Sequence, residues 1–254
     1  MKFKLTYLLF APIILFQDVS LSMAQEAFGG LPALSIETNE NGEQTYSLSL
    51  QILMLMSALT VLPSILLGMT AFTRIIIVMS ILRQALGTQQ TPPNQVLVAL
   101  SLFLTLFVMS PTLNKVYEQS GVPYLNGDIP AQKAIVDSAG QIKTFMVSNT
   151  RESDLSMFAE ISGNTNFASI KEVPFSTALP AFITSELKTA FQIGFLIYLP
   201  FLVIDMVVAS VLMSLGMMML SPMLIALPFK LLLFVLVDGW GMTVGSLIST
   251  FNAG

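Results

Sequence analysis

Residues 215–230 read LGMMMLSPMLIALPFK and join the two long apolar runs around which the chain is organised. The runs cover residues 191–215 and 223–236, and each approaches the length of a bilayer crossing at about 1.5 Å per residue. Gly216 and Pro222 lie between them, and both residue types favour interruption of a helix. The stretch therefore predicts a helical hairpin with its turn at these residues.

Three adjacent thioethers, Met217, Met218 and Met219, occupy this turn. Three consecutive residues cannot share one face of a helix. Because methionine is unbranched and adapts its shape to what touches it, a cluster of this kind suits a surface that closes and then yields. The alternative is that these methionines only fill space among lipid chains.

The composition identifies a membrane protein. The 254 residues are 54% hydrophobic and 10% charged, with a mean hydropathy of +0.77. The chain contains no Cys and no His, which excludes thiol chemistry, disulfides, zinc fingers and Ser-His-Asp triads. We identify no catalytic, cofactor-binding or metal-binding motif and expect a protein that is not an enzyme. The net charge of -4 without a basic cluster argues against nucleic-acid binding.

Residues 1–24 have the pattern of a secretory signal peptide. Lys2 and Lys4 precede a short apolar core, and Ser22 and Ala24 supply the small residues of a cleavage site. We predict cleavage after Ala24; the alternative is an uncleaved anchor. Residues 25–47 are rich in Gly, Asn and Glu, which predicts an exported and flexible lead-in.

Residues 48–111 are predicted to form a first apolar helical hairpin. The run 48–86 is too long for one straight span, and Pro63 and Gly68 are the expected kink points. Arg74 is expected to mark the first membrane interface.

A linker at residues 87–94, GTQQTPPN, separates the two arms of this hairpin. Its paired prolines stop a helix, and Asn94 is expected to cap the next one. That helix, residues 96–109, should be closed by Pro111.

The charges around this linker predict the topology. Arg74 and Arg83 flank it without any acidic residue, which places it in the cytoplasm by the positive-inside rule. Residues 112–187 are then exported. Apolar residues recur there at helical spacing and predict short amphipathic helices: Ile135, Ile142, Phe145, Met146, Leu155 and Phe158.

Ionisable residues in the last part, residues 188–254, are candidates for function because charge in an apolar segment is costly. Asp205 lies in one run and Lys230 and Asp238 in the other, with Glu186 and Lys188 at the entrance. A hairpin folded near the methionines brings Asp205 to within about a turn of Lys230, so an internal ion pair is the simplest interpretation. A proton relay is the alternative.

Several motifs together resemble one family. They are FTRIIIVMSILRQALGT, PPNQVL, TRESDL, PAFITSELKTAFQIGF, GMMM and IALPFKLLLFVLVDGW, which span about residues 47–251. They are similar to the FliP family of flagellar type III export-gate proteins, whose injectisome counterpart is the SctR family. The signal peptide and lead-in favour the flagellar branch.

The resemblance implies an all-α membrane-associated fold whose helical hairpins assemble into a ring, with a small exported helical segment. Members form rings of five with FliQ and FliR subunits and other export-gate components, in the bacterial inner membrane at the flagellar basal body, with periplasmic exposure. Unfolded flagellar substrates pass through. In such assemblies the hairpins rise out of the membrane plane, so apolar runs need not be literal spans.

The resemblance also assigns residues. The family's methionine gasket maps onto Met217, Met218 and Met219, and its intersubunit salt bridge maps onto Glu186 and Lys230. The second assignment competes with Asp205 for Lys230, and Asp205 then serves packing against FliQ or a neighbouring subunit. Two other hypotheses stay open, namely an independent ion channel or transporter and a structural scaffold whose methionines merely pack.

Overall fold

The computed structural model describes residues 34–38, 44–48, 50–88, 90–163, 167, 170–217 and 219–251. The signal peptide predicted at residues 1–24 lies outside these residues, and so does Met218. The chain divides into two compact units, Met1–Ser64 and Ile65–Gly254.

The first unit contains a short β-hairpin where the sequence analysis expected only a flexible lead-in. Strand β1 (Leu34–Thr38) pairs antiparallel with β2 (Gln44–Leu48), with Leu34 opposite Leu48 and Ile36 opposite Tyr46. The signal that was missed is local: LSIET and QTYSL alternate apolar and polar residues with a period of two. Their β-branched and aromatic residues also favour strands.

Helix α1 (Leu50–Gly68) follows the hairpin and ends where one of the two kinks was expected. Pro63 lies inside this helix and does not break it. The chain turns at residues 69–71 before α2 (Phe72–Ala85) begins. The Thr70 hydroxyl donates to the Leu67 carbonyl at 2.8 Å and accepts from the Phe72 amide at 3.3 Å, so it satisfies backbone groups on both sides of the break.

Helix α3 (Asn94–Val116) continues through Pro111, where the sequence analysis expected it to close. A proline removes one N–H, and apolar helices tolerate that loss where neighbouring groups compensate. The helix runs into a π-helical turn (Tyr117–Gly121) and a short helix α4 (Val122–Leu125). The expectation that Asn94 caps α3 was also wrong, because Pro93 takes the cap position without a side-chain hydrogen bond.

The amphipathic helices predicted between residues 112 and 187 are confirmed. Helix α5 (Ala131–Asn149) and helix α6 (Glu152–Ile161) form them, with a 3-10 turn at Ile170–Glu172. Phe145 and Met146 are buried, whereas Ile135 is exposed.

The hairpin predicted around the methionines is confirmed, and its first arm is longer than expected. Helix α7 (Phe175–Ser214) has 40 residues, or about 60 Å, and includes Pro180 and Pro200. It passes without interruption across the predicted segment boundary at residue 187. Helices α8 (Pro222–Leu236) and α9 (Gly239–Ser249) complete the chain.

The main core of the second unit lies between α2 and α7. Helix α2 buries one stripe, which includes Ile75, Val78, Met79 and Leu82, and Phe182 and Ala190 of α7 belong to the same cluster. Gly194 permits the closest approach: a Cβ at this position would lie 2.4 Å from Cδ1 of Ile81.

Among the residues that the structure describes, two helical stretches are long and apolar enough to cross a membrane, Asn94–Leu125 and Phe175–Ser214. Up to four qualify if two bent pairs each count as one span, Leu53–Gly68 with Phe72–Ala85 and Pro222–Leu236 with Gly239–Ser249. The all-α, membrane-associated fold class is confirmed.

Candidate functional site

Gly216 and Pro222, the two residues that predicted the methionine turn, both lie where that turn requires them. Gly216 has a φ of +71°, and its amide donates to the Met213 carbonyl at 3.0 Å while the Met217 amide donates to the Leu212 carbonyl at 3.0 Å. This pair of bonds is the Schellman motif, which ends α7 and favours glycine at its left-handed position. Pro222 is the first residue of α8, where its missing N–H costs nothing.

The side chains of this turn lack cover from their own chain. Met219 is 102% exposed and Met217 is 43% exposed. Leu215 and Leu220 beside them are exposed as well. An apolar cluster that a chain leaves uncovered marks a surface for another protein or for a membrane.

Glu186 and Arg74 form a buried ion pair that joins α7 to α2. Arg74 Nε donates to Glu186 Oε2 at 2.8 Å, and Arg74 Nη2 donates to Glu186 Oε1. Arg74 Nη1 donates to the carbonyl and the hydroxyl oxygen of Thr250, at 3.1 and 2.9 Å. The Phe251 ring lies 3.9 Å from the guanidinium carbon, which adds a cation–π contact.

Arg74, which the sequence analysis expected to mark a membrane interface, is enclosed by protein. Its side chain is 3% exposed and both ends of the pair are enclosed by protein. A buried charge persists only when it is paired and hydrogen-bonded, and the Glu186 carboxylate meets that requirement. Arg74 therefore gives no information about which side of the membrane the linker occupies.

Lys230 pairs with Asp205 within the chain. Its Nζ donates to Asp205 Oδ2 at 2.7 Å and to the Ala85 carbonyl at 3.1 Å. Lys230 is 2% exposed, whereas the Asp205 side chain is 34% exposed. Because Arg74 holds Glu186, the structure does not join Glu186 to Lys230 inside one protomer. The intersubunit pairing of these two residues concerns neighbouring protomers and stays a prediction.

Asp238 lies at a corner of the chain and not inside a continuous apolar run. It has a left-handed backbone with φ 50° and ψ 53°, and its Oδ1 accepts from the Gly241 amide at 3.4 Å as the cap of α9. Helices α8 and α9 meet there at 64°. Gly239 is required at this corner, because a Cβ would lie 2.2 Å from the Phe234 ring. Asp238 is exposed in the chain.

A polar cluster beside Glu186 escaped the sequence analysis. Arg151 donates through Nη2 to Thr189 Oγ1 at 3.1 Å and to Gln192 Oε1, and its backbone amide donates to Ser185 Oγ at 3.0 Å. Ser185, Thr189 and Gln192 of α7 are spaced at i, i+4 and i+7, so they lie on one face of the helix. This polar stripe could have been recognised from the sequence. Lys188 Nζ also lies 3.9 Å from Asp154 Oδ1.

These contacts hold the start of α6 against the middle of α7. Among the described residues, no three acidic side chains cluster in a way that could hold a metal ion.

Comparison with known proteins gives consistent matches. The model of the FliP family matches residues 55–247. A flagellar biosynthetic protein FliP of Cereibacter sphaeroides is 68% identical over 87% of this chain and 73% of its own length. The proteins of the same name from Pectobacterium carotovorum and Bacillus subtilis are 53% and 50% identical, over 91% and 82% of this chain and 90% and 94% of their own lengths. With the family model covering well over half of its residues, this chain belongs to the FliP family.

Proposed function

We propose that this chain is the pore-forming core subunit of a flagellar type III protein export gate in the bacterial inner membrane. It assembles into a ring of five copies and binds FliQ and FliR subunits. Unfolded flagellar substrates pass through the ring, which closes when idle. Membership of the FliP family and the names of its relatives, flagellar biosynthetic proteins, support this proposal.

The observation that carries the proposal is the uncovered methionine turn. A tight Schellman turn ends α7. Met219 is fully exposed after this turn and Met217 is 43% exposed, so the chain itself encloses neither side chain. A ring of such turns places flexible thioethers at one level. The constriction is too dry for ions, yet its side chains can move aside for a polypeptide without breaking hydrogen bonds.

The outer faces of the long helices support assembly. Helix α7 exposes Phe195, Val203 and Met206, and α8 exposes Leu232 and Val235. Apolar area on this scale is stable only against lipid or against other subunits. The chain is proposed to act by forming a passage and not by catalysis.

The first test replaces Met217, Met218 and Met219 together by alanine. Alanine shortens the seal, so the constriction widens and admits water. We expect a measurable ion leak across the cell membrane while flagellin secretion continues. Ion conductance and secreted flagellin are measured in the same cells.

Matched controls separate a gate from methionines that merely fill space. Met206→Ala and Met242→Ala remove exposed thioethers away from the turn and should leave ion conductance unchanged. The size of the complex on a native gel verifies assembly. An unchanged leak in a triple variant that assembles normally would place the gate elsewhere.

A further inference from the structure

A second arginine of α2 resembles Arg74 in its bonding but lacks an anionic partner. Arg83 Nη1 donates to the Pro92 carbonyl at 3.2 Å and to Asn94 Oδ1 at 2.6 Å. Arg74 uses its Nη1 in the same way, for one carbonyl and one side-chain oxygen of Thr250. In Arg74, Nε and Nη2 form one edge of the guanidinium and donate to the two carboxylate oxygens of Glu186.

The corresponding edge of Arg83 has no acceptor among the described residues. A guanidinium carries five N–H donors, and the two bonds from Nη1 leave the Nε and Nη2 donors available. No carboxylate of the described chain lies within 4.0 Å of this side chain. This edge is the part of arginine that binds carboxylate or phosphate through two parallel bonds.

Arg83 lines a cavity of about 480 Å³ that has both apolar and polar walls. Ile76, Ile77 and Ile81 provide an apolar wall, and Arg83, Gln84 and Thr88 provide polar groups at one end. The nearby ammonium of Lys230 is neutralised by Asp205, so Arg83 supplies the positive charge that a ligand would meet. The residues of α2 and the following linker include no acidic side chain that would repel an anion.

The order of the apolar wall and the arginine along α2 indicates which kind of ligand the cavity fits. The apolar wall comes from the middle of a helix that belongs to a candidate membrane segment, and the arginine lies in its last turn. A phospholipid has the same order, with acyl chains followed by a phosphodiester. Basic pockets between membrane helices bind anionic headgroups in this way.

We propose that the cavity beside Arg83 binds the headgroup phosphate of an anionic phospholipid, with the Nε and Nη2 edge gripping two phosphate oxygens. Asn94 and Pro92 hold the guanidinium in place through Nη1, which leaves its binding edge directed to the ligand. The acyl chains pack on the isoleucine wall. This site is separate from the proposed gate and does not depend on it.

The test is native mass spectrometry of the full-length protein, purified in mild detergent with the subunits that accompany it. Phosphatidylglycerol and phosphatidylcholine are added in separate series. We expect phosphatidylglycerol to bind at least about tenfold more tightly, because a zwitterionic headgroup offsets the charge that the arginine binds. Equal retention of the two lipids would overturn the proposal without any variant being made.

Variants then locate the site. Arg83→Gln should reduce phosphatidylglycerol affinity about tenfold. The affinity of Arg83→Lys should lie between those of the natural protein and Arg83→Gln, because lysine keeps the charge but loses the paired geometry. Lys133→Gln, which removes an exposed positive charge from α5, should have no effect. Unchanged lipid binding by a folded Arg83→Gln protein would overturn the proposal.

Two competing occupants give distinct results. Binding of millimolar inorganic phosphate by a protein that retains neither lipid would show that the site takes free phosphate and not a lipid. Loss of an accompanying subunit from Arg83→Gln, with lipid retention unchanged, would assign the edge of Arg83 to a carboxylate of that subunit. Either result would contradict the proposal.

Discussion

At the residue scale, two buried cations show how this chain keeps charge inside an apolar fold. Arg74 is matched to Glu186 by a planar two-point contact and is backed by Thr250, while Lys230 is matched to Asp205 and the Ala85 carbonyl. Removing one member of such a pair leaves the other buried and unpaired, which costs about 3–5 kcal/mol. These residues therefore hold α2, α7 and α8 together.

Reversing charges identifies the partner of Lys230. If the internal pair persists in the assembled ring, Asp205→Lys with Lys230→Asp should restore part of the assembly that Lys230→Asp alone destroys, because the reversed pair again neutralises both charges. If Lys230 instead pairs with Glu186 of a neighbour, restoration should follow Glu186→Lys combined with Lys230→Glu. Motility and oligomer size on native gels measure this.

The internal Arg74 contact also affects the second double variant. In the second double variant, the new lysine at position 186 faces Arg74, so protomer folding should suffer even when the intersubunit charges match. Reversal of Arg74 and Glu186 together serves as the control. Rescue by neither Lys230 combination, in protomers that still fold, would assign the lysine a partner outside both proposals.

At the element scale, glycine and proline define how the helices meet. Gly216 ends α7 and Pro222 begins α8, while Pro63 and Pro111 lie within helices that continue past them. Gly194 acts differently, because it removes bulk from the face where α2 packs against α7. A Cβ there forces either Ile81 or the helix axis to move.

We expect Gly194→Ala to destabilise the protein by about 1–3 kcal/mol through overpacking against Ile81. Gly140→Ala in α5 is the matched control, because a Cβ there meets nothing within 4 Å and alanine favours a helix. Thermal unfolding in detergent measures both. Combining Gly194→Ala with Ile81→Val should recover part of the loss, and equal stability of the two alanine variants would contradict the packing argument.

At the scale of the whole molecule, the topology depends on fewer charges than the sequence suggested. Arg74 is neutralised inside the fold, so Arg83 is the flanking charge that still favours a cytoplasmic linker. Helices α5 and α6 carry the mixed charges of an aqueous segment, and we propose that they lie on the periplasmic side. Their contacts with α7 through Arg151 keep this segment beside the membrane helices.

The topology is tested with cysteine, which the natural chain lacks. Ser138→Cys should react with an impermeant thiol reagent only from the periplasmic side, because α5 is expected to be exported. Gln132→Cys, at a more exposed position of the same helix, controls for limited access at the half-buried Ser138. Labelling of either cysteine from the cytoplasm would reverse the topology.

The membrane class, the hairpin with its turn at Gly216 and Pro222, and the presence of short amphipathic helices between residues 112 and 187 could be predicted from the sequence alone. These features depend on hydrogen bonds and apolar spacing within a few residues, which a local pattern contains. The β-hairpin was also readable, because LSIET and QTYSL alternate visibly. Only the tertiary structure assigned Arg74 to Glu186, since 112 positions separate them and any of several cations could have neutralised that carboxylate. It also decided that α3 continues past Pro111 and that Arg83 lines a cavity, because both depend on what packs alongside the helix and not on the residues within it.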